Sequence, residues 1–76
     1  MPNISRDEIN ALLAKILETD SNEVAIIKSV DDLPQWDSLA ILSFIAAADE
    51  DFGKTLSGND VQMAQSIDDL LALVNR

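Results

Sequence analysis

The chain has no cysteine, no histidine and no tyrosine, and only two glycines, two prolines and one tryptophan among its 76 residues. Without cysteine there is no disulfide, no thiol nucleophile and no thiolate for a metal. Without histidine the commonest general base and zinc ligand is missing, and a Ser-His-Asp triad is impossible. Cations are also scarce: five Lys and Arg stand against 14 Asp and Glu, a formal charge of −9. That balance repels phosphate backbones and anionic lipid, so neither nucleic acid nor a membrane surface is an expected partner. It favours encounter with basic protein surfaces. Long apolar runs are absent too, so no segment is expected to insert in a bilayer. The opening Met1-Pro2-Asn3-Ile4-Ser5-Arg6 lacks the pattern of a secretory leader, which makes a cytoplasmic location the expectation.

What remains is 47% apolar residues, too many for a disordered acidic tail. One small domain, residues 1–76, is expected. With no staple available, packed helices suit its modest core better than a sheet. The hydrophobic spacing agrees. Ile9, Leu12, Leu13, Ile16 and Leu17 recur at helical intervals, which predicts a helix from about Arg6 to Glu18. Ser5 and Glu8 have capping-box spacing in front of it, and Ile4 and Ile9 that of a hydrophobic staple.

A long connection, Thr19 to Gln35, comes next. Val24, Ile27 and Val30 predict either a short helical turn within it or a loop pinned to the core. Pro34 ends any helix there. A second long helix is predicted from Asp37 or Ser38 to about Asp51, with Gly53 at the left-handed cap position. It carries two apolar faces. Ile41, Phe44, Ile45, Ala48 and Phe52 form a core face, while Leu39, Leu42 and Ala46 form another flank extended by Asp49 and Glu50. Gly58-Asn59-Asp60 opens a short helix with Val61 and Ala64. Ser66 and Asp69 open the last helix with a second, weaker box, Asp replacing Glu. The expected fold is all-α, a small four-helix bundle of three longer helices and one short one with a long first loop.

Catalysis by this chain alone is not expected. The acidic pairs Asp31-Asp32 and Asp68-Asp69 and the run Asp49-Glu50-Asp51 read as solvated faces. Gly53-Lys54-Thr55 fails as a phosphate loop, since Ala48 stands where its first glycine belongs. Asp49 to Asp60 fails as a calcium loop, since Lys54 stands at the glycine position and Asp60 replaces the bidentate Glu. No metal site is expected. One site survives: Trp36-Asp37-Ser38-Leu39 sets a hydroxyl at a helix start, where free N–H groups and the dipole favour an anion. Asp37 or Ser38 as a plain N-cap is the simpler reading of the same residues.

Asp37-Ser38-Leu39, the Leu33-Pro34-Gln35-Trp36 approach, Phe52, Leu56 and Ser66-Ile67-Asp68-Asp69-Leu70 lie in the order and spacing of the acyl carrier proteins, which the chain resembles over nearly its whole length. The resemblance implies an acyl-carrier-like bundle that shuttles acyl or aminoacyl intermediates as thioesters. They would ride on a phosphopantetheine arm, moved from coenzyme A to Ser38 by a phosphopantetheinyl transferase. It implies that Asp37 helps the transferase dock or position Mg²⁺. Leu39, Leu42, Ala46, Asp49 and Glu50 would meet the basic docking surfaces of loading and transfer enzymes. Ala48, Leu56, Val61, Ala64 and Leu70 would line a cargo cavity, and the carrier would work as a monomer.

Three positions depart from the family's fatty-acid carriers. Ala40 and Ser43 stand where acids are usual, and Ala46 where methionine is. The thinned charge implies a dedicated carrier in a specialised pathway. The alternatives are a general fatty-acid-synthesis carrier and an unmodified acidic interaction module in which Ser38 only caps. Trp36 has two readings as well, an anchor of the first loop or a surface hot spot.

Overall fold

A computed structural model describes residues 3–76; Met1 and Pro2, on which the leader reading begins, lie outside it. Among the described residues there are five α-helices, one 3-10 turn and no strand. α1 spans Arg6–Leu17, α2 Ser21–Ala25, α3 Ser38–Phe52, α4 Gly58–Met63 and α5 Ile67–Val74, with the 3-10 turn at Val30–Asp32.

The all-α expectation holds, with one helix more than the four expected. The extra element, α2, is the short turn foreseen inside the long connection. Val24 drives it: its side chain is fully buried, and its N–H closes back onto the Asp20 carbonyl. Val30 pins the 3-10 turn in the same way. The connection is therefore both helical and pinned. An antiparallel bridge, Ser29 with Ser66, fastens it to the start of α5. There the Ile67 N–H donates to the Lys28 carbonyl at 2.8 Å and the Val30 N–H to the Gln65 carbonyl at 3.1 Å.

The two predicted capping boxes come out in reversed order of strength. At α1 the Ser5 hydroxyl accepts from the Glu8 N–H at 3.2 Å, and only that half of the box forms among the described residues. At α5 both halves form. The shorter Asp69 carboxylate sits close enough to accept from the N–H groups of both Gln65 and Ser66, although Asp69 is as exposed as Glu8. α1 stops one residue earlier than expected, with Glu18 left-handed at φ 55° as its cap. α3 runs one residue further, to Phe52, and Gly53 at φ 67° ends it.

The core gathers Ile9, Leu13, Phe44, Val61, Ile67 and Leu70, all fully buried. Ile4 and Phe52 pack against it from the edge. On α3 the buried line is rotated from the predicted one. Ala40, Phe44, Ala47 and Ala48 are buried, while Ile41, Ile45 and Phe52 are half-buried. The alanines explain the rotation: small side chains let α3 lie close to α1, and the bulkier isoleucines take the margins. The one buried polar residue among those described, Asn10, accepts from Arg6 Nε at 2.8 Å. No helix among the described residues is long and apolar enough to cross a membrane.

Candidate functional site

The site forms where the pinned connection turns into α3. Leu33 is buried and holds the connection down. Pro34 and Gln35 then turn the chain, with Gln35 at φ 56°, a left-handed conformation that glycine adopts more easily. Trp36 follows, half-buried, its ring edge-on to Phe44 with centroids 6.0 Å apart and planes at 71°. Of the two readings of Trp36, the loop anchor is the one this contact supports. It fixes where α3 begins.

Asp37 is the N-cap. Its Oδ1 accepts from the Ala40 N–H at 2.9 Å, and its carbonyl takes the first helical bond, from Ile41, also at 2.9 Å. Ser38 is consequently the first helical residue and is exposed. The two candidate roles are thereby divided: the aspartate caps, and the serine hydroxyl is left at the surface beside a positive helix end. The chain has no histidine to act as a base here. The described residues include no group of three or more side chains placed to hold a metal ion.

The predicted partner flank lies on the same helix and faces outward. Leu39 is 72% exposed and Leu42 63%, with Ala46, Asp49 and Glu50 exposed beyond them. The apolar stripe is therefore flanked by carboxylates at both ends, Asp37 at one and Asp49 with Glu50 at the other. Asp51, next in the acidic run, turns back to α1 and meets Lys15 at 3.0 Å. The five residues predicted to line a cargo cavity, Ala48, Leu56, Val61, Ala64 and Leu70, are all buried in the core. Ala64 also lines a depression of about 220 Å³ between α4 and α5, edged by Asp60 and Asp69. Both carboxyls there titrate below the ordinary aspartate value. Arg76 and then Ser57 lower Asp60, and the backbone N–H groups of Gln65 and Ser66 lower Asp69.

Three features escaped the sequence reading. Met63 and Ile26 are exposed, and both fall outside the periodic stripes by which apolar residues were assigned. The third is a depression of about 110 Å³ between α1 and the start of α3, walled by Ile16 and Leu17 of α1, by Gln35 and Asp37, and by Leu39, Ala40 and Ser43 of α3. The α1 residues lie too far off in sequence for spacing to link them to Ser38. Compared with known protein families, curated proteins and solved structures, the chain matches none of them.

Proposed function

We propose that this chain is an acyl carrier with an acyl-carrier-like bundle, modified by phosphopantetheine on Ser38. The observation that carries the reading is the division of labour at the start of α3. Asp37 supplies the cap, so an exposed serine hydroxyl is free for esterification at a helix end that favours a phosphate. The residues fit the group, since nothing buries Ser38 and the helix places it next to the exposed Leu39 and Leu42.

In the loading step the Ser38 Oγ forms a bond to the phosphorus of coenzyme A's pantetheine phosphate. The bond from that phosphorus to the adenosine bisphosphate breaks. The hydroxyl proton leaves to a base of the transferase, because this chain has none in place. Asp37 has one carboxylate oxygen engaged by the cap and its second available to the transferase or its Mg²⁺. When attached, the arm's thiol carries the cargo as a thioester, which accounts for a carrier without cysteine. Leu39, Leu42 and Ala46, framed by acids, suit transient docking on enzymes with an apolar patch and a basic rim.

The uncharged positions 40 and 43 favour a dedicated carrier over a general fatty-acid-synthesis carrier. Ala40 is only 7% exposed, and neither position adds a carboxylate to the first turns of α3 after the Asp37 cap. The test is intact mass after incubation with coenzyme A, Mg²⁺ and a broad-specificity phosphopantetheinyl transferase. A single phosphopantetheine on the wild type and none on Ser38→Ala is expected. No addition by several transferases would leave the unmodified interaction module as the better reading.

A further inference from the structure

An enzyme that acts on the Ser38 hydroxyl has to cover the start of α3. A transient interface buries up to about 1,200 Å² in total, far more than one serine presents. The depression between α1 and α3 lies within such a footprint. Ser38 does not line it, but both of its neighbours, Asp37 and Leu39, do. Leu39 is also part of the exposed flank of α3, so the depression continues that flank toward α1.

The lining says what fits. Half-buried Ile16 and buried Leu17 supply an apolar wall from α1, and Leu39 and Ala40 supply one from α3. Ser43 adds a small neutral group, and Asp37 is the one carboxylate of the lining. The carriers that the chain resembles usually hold acids at positions 40 and 43, and Ala40 and Ser43 leave the depression without them. A carboxylate there would lose its water when a partner covered it. The volume of about 110 Å³ is roughly four times the ~30 Å³ share of a water in the liquid. That is room for one aliphatic side chain.

We infer that this depression receives an aliphatic side chain of the phosphopantetheinyl transferase, so that docking extends from the α3 flank onto α1. The inference rests on the carrier reading. The side chain that enters has a basic neighbour. The apolar group covers Ile16 and Leu39, and the basic one meets the exposed Asp37 of a chain with charge −9. Ile16 and Ser43 are then specificity residues: they set which transferase loads this chain.

The test follows loading by intact mass and reads kcat and KM for the transferase. If none of several transferases modifies the wild type, the carrier reading falls and this inference with it. Once the wild type is loaded, the variants bear on the inference alone. Ser43→Glu separates two accounts by sign. If basic residues on the flank alone dock the chain, the added carboxylate lowers KM. If an aliphatic side chain enters, the new charge is buried beneath it, and KM rises roughly tenfold with kcat little changed. Ile16→Ala alters only the α1 wall and should raise KM by about threefold or more. Thermal unfolding of both variants checks that they remain folded during the assay. A third readout needs neither of them: methyl shifts of the Ser38→Ala chain, which takes no arm, on titration with the transferase. Shifts at Ile16 and Leu17 are expected together with those at Leu39 and Leu42. Shifts confined to α3, or a folded Ser43→Glu that loads as well as or better than wild type, would overturn the inference.

Discussion

The α1–α5 edge and the start of α3 are built on opposite plans. At the first, polar groups are tied across long stretches of chain. Arg6 reaches Asn10, the Ile27 carbonyl at 2.8 Å and Asp68 at 3.1 Å. Asn75 both accepts from and donates to the backbone of Ile4, at 2.7 and 3.0 Å. At the second, apolar and polar groups alike are left out: Leu39, Leu42 and Ser38 face solvent. The difference teaches where this small domain keeps its stability. The clamps hold the connection and the chain ends. The head of α3 is then fixed from below, by Phe44 against Trp36 and by the Asp37 cap, and its outer surface is left exposed.

The predictions test that contrast from the strongest effect downward. Phe44 belongs to both regions, fully buried in the core and in contact with Trp36. Phe44→Ala should therefore lower unfolding free energy by about 3–5 kcal/mol in urea titrations. Arg6→Ala removes the guanidinium that donates to the buried Asn10 and should cost about 1–3 kcal/mol. Asp68→Ala, which breaks only the exposed ion pair, should cost at most ~1 kcal/mol. Equal losses for the two would mean that the surface pair, and not the buried amide, is what the clamp stabilises.

Leu39→Ala and Leu42→Ala should each change stability by no more than ~0.5 kcal/mol. Both should nevertheless slow loading by the transferase, measured as kcat/KM. A stability loss as large as that of Arg6→Ala would place these leucines in the core account instead.

The smallest effect is the acid response of the α5 cap. Asp69 titrates below 3.8 because it accepts from the N–H groups of Gln65 and Ser66. Its folded value is depressed, so its contribution is present above the unfolded value and is lost as pH falls through the folded one. The stability gap between wild type and Asp69→Asn should therefore narrow as pH falls below the ordinary aspartate value and through the lower folded one. A gap that stays constant would remove the charge from the account of this cap.

Much of this was legible in the sequence, for local reasons. Hydrophobic spacing placed α1, α3 and the start of α5 within a residue or two, and Ser5, Gly53 and Ser66 punctuate them as capping chemistry requires. Ser38 and its leucine flank were readable because a helix fixes neighbours three and four residues apart. The rotation of α3 was not, since it depends on how closely three alanines let α1 approach. Nor was the depression between α1 and the start of α3, whose walls come from separate stretches of the chain. The completeness of the Asp69 cap turned on carboxylate reach, which spacing alone does not express.

The measurement that bears most directly on the central claim compares Ser38→Ala with Asp37→Ala, each followed by intact mass after loading and by urea unfolding. If Asp37 caps and Ser38 carries, Ser38→Ala loses the phosphopantetheine and unfolds within ~0.5 kcal/mol of wild type. Asp37→Ala should lose about 1 kcal/mol with its cap. A wild type that takes no arm, together with a Ser38→Ala loss equal to that of Asp37→Ala, would make the serine a structural cap and contradict the account.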